Sequence, residues 1–383
     1  MGRKLKILAI TASTNGQYKD DTDVLIEGLT DLGHNIERVF VSENKGNLTT
    51  NRINYDKIRE CDAIWSPYER ENIVAREFKK HFNKPLVGHY EWAPPWRTGT
   101  ENPMEWGVEL EELEQYYSNV AFFLEIYRNL IPAYLETDIK TIVDDYSLET
   151  IKKIMTQEQV NKLNESDIEI KPYPIDDELL LSQRDDRIEE KYQVLSTARL
   201  VNNKRISHVI RALGMLENPP KYVVIGKGPE LDKLIELGKK HKVEIEFRGT
   251  GQMGGKALAI QESMFSINPW AWLPIGESAV LSKCAITYDH PCARQKLKNL
   301  PAFYVPNNNI KELSKAIKYL IDNPEQRVEW GKKANRVLTN NECELYTKKE
   351  AAKKLEAILI RASNTPENYT NAKYTQDIKK VLN

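Results

Sequence analysis

Apolar and polar positions alternate in blocks from the start of the chain. KILAIT (6–11) is a continuous apolar run closed by the polar loop STNGQYKDD. In the segment that follows, DVLIEGLTDLGHNIERVFV, Val24, Leu25, Leu29 and Leu32 recur at helical spacing. Gly33 punctuates the stop and IERVFV resumes an apolar run. That is strand, loop, helix, strand, the opening of a parallel α/β sheet. CDAIWSPY (61–68) and KPLVGHY (84–90) read as further strands running into polar or aromatic loops, and residues 98–135 as helical and rich in aromatics. IKTIVDD (139–145) is another strand, ahead of a Ser-initiated helix, SLETIKKIM. IEIKPYPID (168–176) is a strand that meets two prolines and an acidic turn. Prolines and charge then crowd up to SQRDDRIEEK (182–191), which sets a domain boundary at 177/178.

The alternation then restarts. YQVLSTARL is a strand, RISHVIRAL a helix, KYVVIGKG a strand and turn, PELDKLIELGKKHK a helix and VEIEFRG a strand. QESMFSINPW passes from a helix end into a strand, GESAVLSKC is helical and AITYDHP a strand. NIKELSKAIKYLIDNPEQRVEWGKKANRVL gives two amphipathic helices split at Asn323-Pro324. The pattern predicts two Rossmann-like, doubly wound parallel-sheet domains in series, 1–177 and 178–363.

Composition narrows the class. A chain of 383 residues fits two domains, and 40% hydrophobic with 29% charged residues supports real cores. A net charge of −1 gives no global field for nucleic acid or for a strongly anionic membrane. The four cysteines are scattered with no C-x-x-C pair, which points to reduced thiols in a cytoplasm rather than to zinc or disulfides. The apolar start is too short for a signal peptide, and no stretch approaches the roughly 20 residues of a membrane span.

Chemistry first shows in STARLVNNKRISHVIRAL (196–213), where Arg199 ends a strand and Lys204 precedes a helix. Two cations at a strand-to-helix crossing suit a diphosphate; the bland reading is a solvated pair of loop charges. The residues here carry a family likeness. ARLVNNK resembles the G-R-L-x-x-x-K segment of retaining GT-B glycosyltransferases, family 4-like (glycosyl transferases group 1). YVVIGKGPELDKLIELGKKHKVEIEFRG resembles the family's strand–G-x-G-P–helix–strand block. LPIGESAVLSKCAITYD (273–289) resembles its L-P-x-x-E-A-x-x-x-G-x-P-V-V segment, and the helical pair after it is similar too.

The resemblance implies a GT-B fold, with its two domains facing a cleft, and transfer of a sugar from a nucleotide-diphosphate donor to a hydroxyl acceptor. It implies that Arg199 and Lys204 neutralise the diphosphate and that Glu277, with Ser278 beside it, holds the ribose. It also implies that the backbone around Phe247, Arg248 and Gly249 faces the base, and that the loop around Gly16 approaches the diphosphate. His89 matches a strand-end histidine near the reacting sugar, and the tail 364–383 is expected to pack back on the first domain. No cofactor or metal is expected, since two cations replace it and no D-x-D stands at a strand end. The chain departs from the family at Pro269, which occupies the place of a first glutamate; Trp270 and Trp272 stand where that motif has its acid and glycines, and Ser282 and Lys283 replace a glycine.

VGHYEWAPPWR (87–97) is the most unusual stretch of the first half. Trp92, Trp96 and Arg97, with Tyr68 from another strand end, are acceptor-side candidates for a carbohydrate, lipid-linked or small-molecule hydroxyl. The same tryptophans would suit peripheral membrane contact, or simple packing. The competing functions are an epimerase or phosphorylase of the same architecture, and a non-catalytic sugar-nucleotide binding protein.

Overall fold

A computed structural model describes residues 3–12, 20–44, 47–50, 54–90, 130–143, 145–250 and 253–364. The chain divides into two compact units: Met1–Pro172 with the segment from Ala351, and Tyr173–Glu350. Except for Asn364, the expected 364–383 tail lies outside the described residues.

In the first unit the described elements are β1 (Lys6–Ala12), α1 (Asp21–Asp31), β2 (Asn35–Asn44), β3 (Asn47–Thr50), α2 (Tyr55–Glu60), β4 (Ala63–Ser66) and α3 (Glu69–Phe82). They continue with β5 (Leu86–Tyr90), β6 (Ile139–Ile142), α4 (Asp145–Ile154), α5 (Gln157–Asn161) and β7 (Ile168–Ile170). The strands order as β3-β2-β1-β4-β5-β6-β7, parallel except where β3 pairs antiparallel with β2 at the edge. Parallel strands are covered on both faces, which is why β1 reads as a nearly continuous apolar run and β5 is buried throughout. On one face Leu8, Ile10, Val39, Ile64 and Leu86 pack against Val74 and Phe78 of α3. Tyr90, Ile142 and Ile151 form a separate cluster with Ile131 and Tyr134. Asp20 caps α1 in a reciprocal box with Asp23.

Two boundaries differ from the sequence pattern. α4 begins at Asp145, so Ser147 is buried within its first turn and does not cap it. IEIKPYPID is not one strand: β7 ends at Ile170, and β8 (Tyr173–Ile175) leaves the first sheet to pair in parallel with β15 (Leu345–Thr347). Pro172 and Pro174 lack the N–H groups that a continuing ladder strand would need.

The second unit holds β8, α6 (Asp177–Ser182), β9 (Gln193–Thr197), α7 (Ile206–Leu213), β10 (Lys221–Ile225), α8 (Leu231–His241), β11 (Ile245–Phe247) and α9 (Met253–Glu262). After these come β12 (Phe265–Ile267), α10 (Leu273–Val280), β13 (Ala285–Asp289), α11 (Pro291–Leu297), β14 (Phe303–Pro306), α12 (Ile310–Asp322), α13 (Pro324–Thr339) and β15. Its main sheet runs β11-β10-β9-β12-β13-β14 with every pairing parallel. That is the 3-2-1-4-5-6 order of a dinucleotide-binding fold, and the chain reverses direction across the sheet between β9 and β12. Val194, Tyr222, Val224, Phe265, Ile267 and Ile286 form the sheet's contribution to a core completed by α7, α8 and α12. The two helices expected around Asn323-Pro324 are α12 and α13, with the proline in the first turn of α13.

α14 (Lys348–Ser363) starts in the second unit and continues into the first. It is held there by His34, which is buried, accepts from the Leu5 N–H at Nδ1 (3.0 Å) and faces Glu356 Oε1 from Nε2 at 2.8 Å. Because Nδ1 accepts, Nε2 carries the proton and donates to Glu356. His34→Leu should therefore destabilise the first unit by about 2 kcal/mol, since it strands a buried backbone N–H and a carboxylate. Glu356→Gln, whose carbonyl still accepts, should cost less than about 1 kcal/mol in urea unfolding. Equal losses would show that the histidine's packing matters and its bonds do not.

Candidate functional site

In an open α/β sheet the crevice for ligands lies at the carboxyl ends of the strands, where the strand order reverses. In the second unit that point is between β9 and β12. After β9 the chain runs through Ala198, Arg199 and Leu200, makes a short 3-10 turn at Asn202–Lys204, passes Arg205 with φ 56° and enters α7.

The 198–200 stretch is pinned as if it were added strand. Ala198 N donates to Ile225 O (3.0 Å), Leu200 N to Lys227 O (2.9 Å) and Glu230 N to Leu200 O (3.1 Å). The glycines of GKGP make this possible. A Cβ on Gly226 would stand 1.8 Å from Ala198 O, and one on Gly228 would stand 2.2 Å from Leu200 O. The two glycines thus let the β10 loop lie directly on the backbone that carries Arg199.

From that loop the Arg199 side chain is exposed and makes no ion pair with a described residue. Lys204 donates from Nζ to Trp270 O at 2.9 Å, across the switch point to the loop after β12. Burial, and secondarily the nearby Arg199 charge, push the Lys204 ammonium down to about 8. Two cations are therefore held near each other at the crevice end of the sheet, one of them made easier to deprotonate by burial and by its neighbour's charge. A diphosphate would supply an anion.

The loop after β12 is ordered from beneath. Asn268 is buried, accepts from Thr197 N at Oδ1 (3.0 Å) and so ties the end of β12 to that of β9, while its buried Nδ2 has no partner among the described residues. Trp270 packs against His290 with ring centres 4.3 Å apart and the planes tilted by 49°, and burial pushes His290 down to about 4, so the imidazole is neutral. Pro269 and Trp270, read as the departure from the family, thus sit in the loop that holds Lys204.

The other donor-side candidates divide. Glu277, on α10, receives Lys256 Nζ at Oε1 (2.7 Å), while its Oε2 is buried and has no partner among the described residues. Ser278 is buried and its hydroxyl is spent inside the unit, on Ser266 Oγ (2.9 Å) and Pro274 O (2.8 Å). Arg248 is drawn back to Glu246 (2.8 Å) and Glu262 (3.5 Å); Glu246, bonded by Arg248 and Lys221, falls to about 2. Gly249 has φ +62° and accepts at its carbonyl from Gly226 N (2.7 Å).

Gly16, Trp92, Trp96 and Arg97 lie outside the described residues. In the first unit, His89 is completely buried within β5, with Nδ1 3.1 Å from Thr141 Oγ1. Tyr68 follows β4, and its hydroxyl is bonded to Asp20, Asp21 and Thr22 at 3.0 to 3.2 Å. Lys171, ion-paired to Asp21 at 2.9 Å, also lies over the Tyr68 ring. Burial, with the Asp21 and Asp20 charges next, raises the Tyr68 phenol far above its ordinary value. Sequence reasoning missed Asn268, Lys256 and the role of Gly226 and Gly228. The G-x-G-P spacing and an Asn-Pro at a strand end were the available signals; Lys256 left none.

Comparisons with known proteins agree with this geometry. Residues 180–337 match the family model described as glycosyl transferases group 1. No functionally curated protein matches the chain. Among solved structures it is similar to sucrose-phosphate synthase from Thermosynechococcus elongatus, at 12% identity and TM-score 0.67, over 94% of this chain and 99% of that one. It is also similar to Anabaena HepE in complex with UDP, at 11% identity and TM-score 0.64, over 93% and 100%. A glycosyltransferase from Rickettsia africae aligns at 14% identity and TM-score 0.61, over 95% and 100%. At these identities the likeness carries the fold, which is GT-B.

The Lys204 charge makes a pH prediction. A group depressed to about 8 is nearly fully charged about a unit or more below that pH, so its contribution to diphosphate affinity should be flat there. Above it, affinity should fall by up to about tenfold per unit. For the fold alone the sign is opposite. The unfolded chain holds this proton more tightly, so the group's contribution to stability improves as pH rises from about 8 towards its ordinary 10.5. Calorimetric titration with a nucleoside diphosphate across this range checks it; affinity independent of pH would remove Lys204 from the phosphate contact.

Proposed function

We propose that this chain, whose residues 180–337 match the glycosyl transferases group 1 model and whose fold is GT-B, is a glycosyltransferase that transfers a sugar with retention from a nucleotide-diphosphate donor to a hydroxyl acceptor, without a resident metal. The observation that carries this reading is the pair Arg199 and Lys204 at the β9/β12 switch point, with Lys204 depressed and held on a carbonyl instead of a carboxylate. A pair so arranged is short of negative charge, and a leaving diphosphate develops it.

In the proposed step the bond from the sugar C1 to the diphosphate oxygen breaks, and a bond from C1 to the acceptor oxygen forms on the same face. The acceptor's proton passes to the departing phosphate oxygen. The protein then needs to position and neutralise, and no general-base carboxylate is required. The partners this implies are a nucleotide-sugar and a carbohydrate or other hydroxyl acceptor. The buried free thiols of Cys61, Cys284 and Cys343 support a reducing, cytoplasmic setting. Among the described residues, no helix is long and apolar enough to cross a membrane.

A second reading draws on one observation. Pro269 and Trp270 occupy the loop where the resembled family has its first glutamate, so the protein could bind the donor without turning it over. A thermal-shift screen against UDP-, GDP- and ADP-sugars identifies the donor, which at 100 times its dissociation constant should stabilise by about 2.7 kcal/mol. With that donor, Arg199→Ala and Lys204→Ala should each lower turnover by about 10²–10³ with the fold intact. Unchanged turnover in both would overturn the assignment; binding with no turnover by the wild type against any acceptor would favour the second reading.

A further inference from the structure

The β9–β12 ladder has its last registered pair at Leu195 and Ser266. Beyond it the two strand ends are joined by side chains: the Ser196 hydroxyl donates to Ile267 O, and Asn268 Oδ1 accepts from Thr197 N at 3.0 Å. Asn268 is also fastened to β13, through its own N–H on Ile286 O (2.9 Å) and through Thr287 Oγ1 on its carbonyl (3.0 Å). Thr197 stands two residues before Arg199. Trp270, whose carbonyl accepts from Lys204, stands two residues after Asn268. One amide oxygen thus fixes the span between the backbone of the first cation and the anchor of the second, each within about 7 Å along the chain.

The two halves of this amide are used differently. The Thr197 N–H can only donate, so the group facing it is the oxygen. Nδ2 is then buried and has no partner among the described residues. An aspartate has the same length and branching and would accept from Thr197 equally well. The nitrogen is the one bonding group that an asparagine has and an aspartate lacks, and no described residue uses it. Hydrogen bonding therefore does not account for an amide here in place of an acid; charge does. A carboxylate this close to Arg199 and Lys204 would answer their charge from within the protein, in surroundings where an ion pair is far stronger than in water. The amide makes the same tie and leaves both cations to a ligand.

Resting on the donor-site reading above, we propose that Asn268 is a positioning residue for the diphosphate. Its neutral amide fixes the span between Arg199 and the anchor of Lys204 without adding the negative charge that would close the site. It acts through the two cations, by holding their strand ends together and by bringing no anion to them.

The test is calorimetric binding of UDP, GDP and ADP at pH 8 in buffers of differing ionisation enthalpy, which reads affinity and proton uptake together. Asn268→Asp keeps the acceptor and adds the charge. It should weaken whichever nucleoside diphosphate binds by about tenfold or more. It should also abolish the proton uptake, because its carboxylate already holds Lys204 charged. Asn268→Ala removes the acceptor and adds no charge. It should weaken binding by about threefold and keep the wild-type uptake of about half a proton. An aspartate variant with wild-type affinity and uptake overturns the proposal. So do equal losses of affinity in the two variants with uptake unchanged in both, the result of packing alone. Where Asn268→Asp does not fold, Asn268→Ala decides: weaker binding with the uptake retained supports the proposal, and wild-type affinity or lost uptake overturns it. A wild type that binds none of the three, or binds with no uptake, overturns the donor-site reading itself, a result distinct from any of these.

Discussion

The constraint on which the second unit depends is a positive charge held with no anion beside it among the described residues. Lys204 reaches from one side of the β9/β12 switch point to a carbonyl on the other, beside Arg199. A carboxylate in place of that carbonyl would settle the lysine's charge and close the site to phosphate. A carbonyl orients the ammonium while leaving its charge to be met from outside. Much nearby architecture follows from holding that arrangement still. The paired glycines let one loop lie on another, Asn268 joins the two strand ends, and the ring of Trp270, whose carbonyl accepts from Lys204, packs against His290. Neutral His290 adds no third cation to this corner.

The same logic separates the two halves of the candidate nucleotide site. The phosphate end is under-compensated in positive charge, while the Glu277 end is neutral overall but short of one hydrogen-bond donor. Ser278 and Arg248 stand near in sequence but are spent within the protein, one on Ser266 and the other on Glu246 and Glu262. Sequence neighbourhood therefore overstates what a site contains, because a side chain's bonding depends on what the fold brings against it.

The fold was largely legible because parallel strands buried on both faces leave unbroken apolar runs, and the helices between them keep a clean helical period. KILAIT, YQVLSTARL and the pair of helices around Asn323-Pro324 are in place. The failures were local. IEIKPYPID carries strand composition, but its prolines break the ladder, and β8 finds its partner in β15, far along the chain. Ser147 looked like a cap and is buried inside a turn. In the site, Arg199 and Lys204 were readable because strand-to-helix crossings have a fixed geometry. Lys256 was not, since nothing in one sequence says that residues 21 apart on two helices will meet. The burial of His89 was hidden for the same reason: strand ends look alike until the neighbouring β6 supplies Thr141.

The central claim, that Lys204 waits on a diphosphate for its full charge, is tested most directly by counting protons. Titrating the wild-type protein with its nucleoside diphosphate at pH 8, in buffers of differing ionisation enthalpy, should show uptake of about half a proton per site, because an ammonium half-charged at that pH becomes fully charged on binding. The uptake should vanish in Lys204→Met. Binding by the wild type with no proton uptake at pH 8 would contradict the account.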